Sequence, residues 1–311
     1  MARASSAPYA GTVYSIFPMI RILGTVFAAL AGLAFGSFLN VCVSRWPEGE
    51  SIVSPRSHCR SCGRTLAWWE NVPLVSWLAL RGRCRDCRSW IGWRYPLVEL
   101  AVAATWALIA WRFFDWALNL PETAFSFEIT RSVGLMIFCW LLVALAALDV
   151  ENLWLPDRLT WPGIALGFAY SVVPIPFGWT FALARVGNNI HVRAAIASLI
   201  GILAAAGLIL LIRWIYWLFR RREGIGLGDA KLMAMLAAWL GFPGALLAFG
   251  VGVVLGSIAA LVLLALPSSR ADAGGWAHIK LPLGTFLCIG GIVSGLWGAP
   301  IIADYLRWSG F

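Results

Sequence analysis

Long apolar runs divide almost the whole chain and restrict it to one class of fold. A helix needs about 20 apolar residues to cross a bilayer, and runs near this length recur along the sequence. Eight spans are predicted; seven spans with one re-entrant segment is the alternative, because the sixth run is short and ends at Phe242-Pro243-Gly244. The predicted spans are 20–43, 96–114, 131–149, 159–176, 192–219, 230–242, 244–266 and 281–305.

The composition agrees with an all-α polytopic membrane protein. Hydrophobic residues make up 60% of the chain and charged residues 13%, compared with about 25% charged in soluble domains. The first apolar run is longer than the core of a secretory signal and ends without a convincing cleavage site, so we expect it to be retained as a span. The predicted domains are a tail (1–19), a first transmembrane helix (20–43), a polar loop (44–95) and a transmembrane domain (96–311).

The net charge of +9 is carried mainly by arginine. Lys231 and Lys280 are the two lysines among the 24 basic residues, which leaves 22 arginines. Many of these lie in the loop 44–95, and three more follow the fifth span at 220–222. The positive-inside rule makes both segments cytoplasmic, with arginines facing lipid head groups. Membrane topology therefore explains the charge better than nucleic-acid binding does.

Two C-x-x-C pairs lie in the loop 44–95. Cys59 with Cys62, and Cys84 with Cys87, can each donate two thiolates from a tight turn and together complete a tetrahedral zinc site. The 21 residues between the pairs are close to the spacer of about 15–20 that is usual for such sites. Four ligands leave no open position, so a zinc-ribbon-like loop with structural zinc is predicted. The alternatives are disulfides, idle thiols, or a site in which His58 replaces one cysteine.

Two aspartates lie where an apolar chain should least accommodate a charge. Asp149 closes the apolar run 141–148, and Asp229 completes Gly226-Leu227-Gly228-Asp229. A carboxylate at the edge of hydrocarbon is costly and usually faces a partner, a cavity or a reaction. Two predicted spans separate these residues, so we expect both on the cytoplasmic side.

Two neighbouring carboxyls cannot both ionise cheaply, so the pair is expected to share one proton. The ionised member can deprotonate a water while the protonated member donates to a carbonyl oxygen. Gly226 and Gly228 would allow a substrate backbone to approach Asp229 closely, and Lys231 is a further residue expected to support the site. Asp149 and Asp229 are thus hypothesised to be the catalytic pair of an aspartic peptidase. The alternative is that each only caps a helix.

Two rival functional classes also fit parts of the sequence. One is an ion or solute carrier whose buried acids bind a cation, although carriers place such acids near the midplane. The other is a non-catalytic zinc-ribbon membrane adaptor with the loop 44–95 as its working part.

From Gly32 onward the chain resembles the type IV prepilin peptidases, the bacterial leader peptidase/N-methyltransferases. The resemblance depends on an ordered set of motifs. They are Gly36-Ser37-Phe38-Leu39-Asn40-Val41, the cysteine pairs enclosing residues 70–77, Arg94-Tyr95-Pro96-Leu97-Val98-Glu99-Leu100, the stretch 149–157, and the stretch 226–232.

One motif departs from the family pattern. Near the last span the family usually has Pro-Phe-Gly-Pro, whereas this chain has Leu281-Pro282-Leu283-Gly284-Thr285. The first nineteen residues have no recognisable counterpart.

The resemblance implies that Asp149 and Asp229 are the peptidase pair, needing no metal, and that the cysteine loop is linked to methylation. The substrates would be precursors of pilins or pseudopilins, cleaved after a glycine at the cytoplasmic face of the bacterial inner membrane. S-adenosylmethionine would then methylate the new amino terminus. Glu70 and Asn71 are candidates for substrate contact or methylation. No Gly-x-Gly-x-x-Gly fingerprint indicates where the methyl donor binds.

Overall fold

The structure of the chain is a computed structural model that describes residues 10–117, 122–172, 189–221, 226–265 and 281–310. These residues form α helices, a short 3₁₀ helix at Trp68–Asn71 and two isolated β-bridges. The helices are α1 (Ala10–Arg45), α2 (Val75–Ala79), α3 (Arg94–Ala117), α4 (Glu122–Asn152), α5 (Asp157–Val172), α6 (Ile190–Arg220), α7 (Leu227–Ala265) and α8 (Leu283–Ser309).

The predicted all-α membrane fold is confirmed. Within the described residues, six helices are long and apolar enough to cross a membrane, namely α1, α3, α4, α6, α7 and α8. Helix α5 has 16 residues and ends at Val172. The last four residues of the predicted span 159–176, together with Arg222 and residues 1–9 of the predicted tail, lie outside the described part.

The two predicted spans 230–242 and 244–266 lie in one helical element, α7, which is interrupted at Gly241. Gly241 has φ 70° and ψ 168°, a conformation that glycine adopts without the steric penalty of a side chain. Pro243 follows two residues later, where a missing N–H favours the start of a new helical segment. The segment before Gly241 is about 21 Å long, which is less than the roughly 30 Å of a hydrocarbon core.

The chain forms two compact units, one ending at Met136 and the other beginning at Ile137. In the first unit, α1 packs along α3. A Cβ added to Gly36 would lie 2.7 Å from the Glu99 Cα, so only glycine allows the two backbones to approach this closely. Glu99 Oε2 accepts a hydrogen bond of 2.7 Å from the Leu74 N–H. This contact attaches the polar loop to α3.

In the second unit, α7 packs against α5, α6 and α8. A Cβ on Gly290 of α8 would lie only 2.1 Å from the Ala248 carbonyl oxygen of α7, so these backbones are in direct contact. Trp239 of α7 donates a 2.8 Å hydrogen bond from Nε1 to the Gly163 carbonyl of α5. Its ring also stacks on Phe138 of α4. This core holds the first turns of α7 and α8 beside the end of α4.

Candidate active site and metal centre

Asp149 lies in the last turn of α4 and accepts hydrogen bonds from the start of α8. Its side chain is buried, with the residue 5% exposed. Asp149 Oδ2 lies 2.7 Å from the Thr285 backbone nitrogen and 3.1 Å from Thr285 Oγ1. The first N–H groups of a helix have no intrahelical partner and carry its positive dipole end. Since Pro282, which precedes α8, provides no side-chain cap, Asp149 caps this helix from a distant part of the chain.

Asp229 is the third residue of α7 and is 9% exposed. Its Oδ2 accepts a 3.2 Å hydrogen bond from the Gly226 N–H, which resembles the return contact of a capping box. The charges of Asp229 and Asp149 interact electrostatically. The structure thus brings together the two aspartates that the sequence singled out, Asp149 with its carboxyl at the N-terminus of α8 and Asp229 at the N-terminus of α7.

Leu155 packs between the glycines that flank the two acids. A Cβ on Gly284 would lie 3.0 Å from Leu155 Cδ1 and 3.0 Å from Asp149 Oδ2. A Cβ on Gly228 would lie 3.2 Å from the Leu155 Cβ. Three segments therefore meet at one place. They are the Gly-x-Gly-Asp motif (226–229), the Leu-Pro-Asp stretch (155–157) and the segment 281–285, which differs from the family pattern. At Gly228 and Gly284 the neighbouring atoms lie so close that a Cβ would require them to move by a few tenths of an ångström.

The predicted supporting residues lie next to the pair. Gly226 supplies the N–H bound by Asp229, and Gly228 provides the space occupied by Leu155. Lys231 Nζ lies 2.5 Å from Oδ1 of Asp157, so its ion pair is with the first residue of α5. Their supporting role stays a prediction.

Each carboxyl keeps one oxygen outside these contacts. Within the described residues, the hydrogen bonds of Asp149 and Asp229 all go to Oδ2, and the structure gives none to either Oδ1. Two neighbouring carboxyls with one oxygen each available can share a proton and activate a water. This is the chemistry of an aspartic peptidase, and the catalytic assignment itself stays a prediction.

Three neighbours of the pair were not identified from the sequence. Thr285 and Leu155 contact it as described, and Cys288, one turn beyond Thr285, is fully buried where the charges of both acids reach it. The departure from the family motif at Thr285 was the one signal in the sequence that marked this segment.

The four cysteines of the loop form one cluster. Their Sγ atoms all lie within 4.8 Å of one another, and those of Cys59 and Cys87 are 3.8 Å apart. A tetrahedral site with Zn–S bonds of about 2.3 Å requires sulfur atoms about 3.8 Å apart. All four are free thiols, and within the described residues no histidine joins the group. The cluster therefore fits a closed, structural zinc site.

Each cysteine pair lies on the same kind of tight turn. The Gly63 N–H donates to the Cys59 carbonyl at 2.8 Å, and the Arg88 N–H donates to the Cys84 carbonyl at 3.1 Å. The turns close with φ 74° at Gly63 and φ 59° at Arg88. Arg88 thus holds a left-handed conformation that glycine adopts more easily.

Two of the thiols lie in surroundings that favour the thiolate. Burial acts to raise the pKa of Cys59, but N–H groups of Cys62 and Ser61 outweigh it and the pKa falls to about 6. The Ser89 hydroxyl, 3.1 Å from Cys87 Sγ, is the main cause that lowers the pKa of Cys87. The thiolate is the form that binds metal.

Glu70 is buried inside the loop, with 6% of the residue exposed. Its Oε2 accepts from the Ala67 N–H at 2.7 Å, and its Oε1 from Arg64 Nη2 at 2.5 Å. Burial acts to raise the pKa of Glu70, but these two donors outweigh it and the pKa is lowered. Arg64 also pairs with Asp86 at 2.8 Å, so Glu70 helps to join the two cysteine turns. The neighbouring Asn71 is exposed.

The fold and the two sites define a helical multi-pass membrane protein with a paired-aspartate site and a four-cysteine loop. Residues 30–113 match the bacterial peptidase A24 N-terminal domain, and residues 136–261 match the type IV leader peptidase family. The chain belongs to the type IV leader peptidase family, which confirms the resemblance drawn from its motifs.

Similar proteins cover nearly the whole chain. A prepilin leader peptidase/N-methyltransferase of Stutzerimonas stutzeri is 33% identical over 91% of this chain and 93% of its own length. One from Pseudomonas aeruginosa is 33% identical over 94% of this chain and 96% of its own length. The type 4 prepilin-like proteins leader peptide-processing enzyme of Escherichia coli is 31% identical, covering 74% and 81%. No solved structure gives a significant match.

Proposed function

We propose that this chain is a membrane aspartic endopeptidase that removes the leader from type IV prepilin-like precursors and N-methylates the new amino terminus. The observation that carries the proposal is the pair Asp149 and Asp229, both buried and both next to the Leu155 contacts, although 80 residues of mostly apolar chain separate them. The names of the similar proteins support both activities. The same comparisons do not favour a carrier or an adaptor.

In the peptidase step, Asp149 and Asp229 hold one proton between them. The ionised carboxyl takes a proton from a water, and the resulting hydroxide attacks the scissile carbonyl. The protonated carboxyl gives its proton to the carbonyl oxygen. As the C–N bond breaks, the carboxyl that took the proton from water passes it to the departing amine, and a hydroxyl of the gem-diol returns a proton to the other carboxyl. Oδ2 of each acid keeps its hydrogen bond from a backbone N–H at a helix N-terminus while Oδ1 carries out the transfers. No metal takes part in this step.

The backbone beside Asp229 bears on what can be cleaved. Gly226 places no side chain next to the Asp229 carboxyl, so an extended peptide backbone can lie close to it. The proposed substrates are pilin or pseudopilin precursors, whose hydrophobic helix lies in the lipid while a basic leader reaches the site.

The proposed location is the bacterial inner membrane, with the active site at its cytoplasmic face. The arginine-rich loop 44–95 supports this orientation through the positive-inside rule. The similar proteins are bacterial enzymes named for prepilin processing.

We assign methylation to the loop 44–95 and proteolysis to the domain 96–311. Cys59, Cys62, Cys84 and Cys87 would hold zinc, which would supply rigidity to the loop because four thiolates leave no open position. S-adenosylmethionine would supply the methyl group. Both oxygens of Glu70 are already bound within the loop, so its role would be to position the exposed Asn71, which is free to contact the substrate.

The test is cleavage of a purified prepilin by the enzyme in lipid nanodiscs, followed by mass spectrometry. Asp149→Asn and Asp229→Asn are each expected to lower the rate at least a hundredfold. The matched control is Asp304→Asn, because Asp304 is an exposed acid of α8 that pairs with Arg307 away from the site. An ordinary cleavage rate in either site variant would exclude the proposed pair.

Methylation is tested separately on a pilin that has already been cleaved. The full-length parent enzyme is expected to transfer the methyl group and to contain about one equivalent of zinc. Less than about half an equivalent in the purified protein would contradict the zinc assignment.

A further inference from the structure

Thr285 contacts Asp149 through two separate groups. The backbone nitrogen lies 2.7 Å from Oδ2 and the side-chain Oγ1 lies 3.1 Å from the same oxygen. Thr285 comes from α8 and Asp149 from α4, at positions 136 residues apart in the chain. The two contacts are therefore made by the tertiary fold and are not a local turn.

The N–H contact has a fixed direction. Thr285 is the third residue of α8, so its N–H has no carbonyl partner within the helix. It can only donate, and it does so from the positive end of the helix dipole. Oδ2 of Asp149 is thus held as an acceptor.

The hydroxyl of Thr285 can donate to either of two acceptors. Thr285 Oγ1 lies 3.1 Å from Asp149 Oδ2 and 3.2 Å from the Ala146 carbonyl oxygen. A hydroxyl has one proton to donate, so the two acceptors compete for it. An ionised carboxylate is the stronger acceptor, whereas the carbonyl competes better once the carboxyl is protonated.

Both contacts depend on the type of residue at position 285. In the family motif Pro-Phe-Gly-Pro, the last position is a proline, and threonine stands there in this protein. Proline has neither an N–H nor a hydroxyl, so a proline here could make neither contact.

We infer that Thr285 is a positioning residue of the peptidase. Its N–H holds Asp149 Oδ2 throughout the reaction, and its hydroxyl turns between Oδ2 and the Ala146 carbonyl as the shared proton leaves and returns. This inference rests on the proposed peptidase function. No bond to Thr285 is made or broken, since only the hydroxyl hydrogen changes its acceptor.

The test compares full-length variants in nanodiscs by steady-state cleavage of a prepilin. Thr285→Val keeps the shape and the N–H but removes the hydroxyl, and kcat should fall about tenfold with KM within about twofold, as expected when a hydrogen bond to a charged group is lost. Thr285→Ser keeps the hydroxyl and should restore kcat to within about twofold of the parent. Thr285→Pro removes both donors at a helical position that tolerates proline, and its kcat should be lower than that of Thr285→Val.

Two controls separate this role from a general effect on folding. Thr130→Val makes the same substitution at an exposed threonine whose hydroxyl bonds only within α4, and it should leave kcat unchanged. Methylation of a pre-cleaved pilin and the melting temperature should be the same in Thr285→Val as in the parent.

The outcomes are distinct. Parental kcat in Thr285→Val, or an equal loss in Thr285→Ser, would overturn the positioning role while the proposed function stands. A loss of kcat accompanied by loss of methylation and of thermal stability would likewise overturn it. If Asp149→Asn and Asp229→Asn both cleave at the parental rate, the proposed function itself fails.

Discussion

Gly284 offers the sharpest steric test of the site. A Cβ at this position would lie 3.0 Å from Asp149 Oδ2, 3.1 Å from its Cγ and 3.0 Å from Leu155 Cδ1. Ordinary carbon contacts begin at about 3.4–3.5 Å. In Gly284→Ala, therefore, Asp149 and Leu155 must each move away by about 0.4 Å. Leu155 can adapt by changing its rotamer, whereas Asp149 is held by two hydrogen bonds to the next residue, Thr285.

The size of the effect follows from the displacement of the carboxyl. A misplacement of about 1 Å in an active site can lower the rate about a hundredfold. About 0.4 Å then corresponds to roughly a sixfold loss of kcat, if the logarithm of the rate scales with distance. Alanine also favours helix over glycine by about 1 kcal/mol, so the variant should not unfold. We expect lower kcat with an unchanged or slightly raised melting temperature.

The assay is prepilin cleavage by Gly284→Ala and Gly250→Ala measured side by side. Gly250 of α7 provides the matched comparison, since it is exposed and its Cβ would have no neighbour within 4 Å, and a loss of no more than about twofold is expected. Equal rates for the two variants would refute the steric reasoning. So would a recovery of Gly284→Ala by Leu155→Ala alone, because that would place the conflict at Leu155.

Three further predictions concern the cysteine loop. Glu70→Gln should lower the melting temperature at neutral pH, and the difference from the parent should vanish in acid. A carboxyl whose pKa is lowered in the folded protein stabilises the fold at pH values above its unfolded pKa of about 4.3, and this contribution is lost as the pH falls through the folded pKa. A difference in melting temperature that does not depend on pH would contradict this prediction. Arg88→Gly should raise the free energy of unfolding by up to about 1 kcal/mol, seen as slower zinc loss to a chelator, since it relieves a positive φ; faster loss would refute this. Cys59→Ser should reduce bound zinc below about half an equivalent and abolish methylation while cleavage persists, and metal analysis that finds full zinc would count against the cluster.

The sequence was most informative where burying a charge in the bilayer costs free energy and where structure depends on neighbouring residues. Asp149 and Asp229 could be identified because a carboxyl at the edge of an apolar run requires an explanation. The cysteine cluster could be predicted because each pair forms its own turn, so the ligand spacing is a local property. The break in α7 was also visible, since glycine and proline at 241–244 interrupt a helix by local backbone chemistry.

Contacts between distant segments could not be predicted in the same way. The hydrogen bond from the Leu74 N–H to Glu99, and the ion pair of Lys231 with Asp157, depend on how the chain folds back on itself. In the sequence, Thr285 was visible only as a departure from a motif. Its contact with Asp149 depends on the direction of its N–H in the folded helix α8. A sequence rich in arginine or glycine does not specify which residue a side chain will pair with, nor in which direction a backbone N–H will point.

Capping a helix and catalysing a reaction are compatible roles for the two aspartates, and one substitution separates them. Each acid uses Oδ2 for a helix N-terminus, and asparagine is about as good as aspartate at accepting such hydrogen bonds. Asp149→Asn and Asp229→Asn should therefore keep melting temperatures close to the parent, because the amide oxygen can replace Oδ2. They should nevertheless lose cleavage, because an amide cannot take up or release the proton. If the variants instead lose cleavage only to the extent that they lose folded protein, the inactivity would be explained by lost capping. The catalytic role of the two aspartates would then be contradicted.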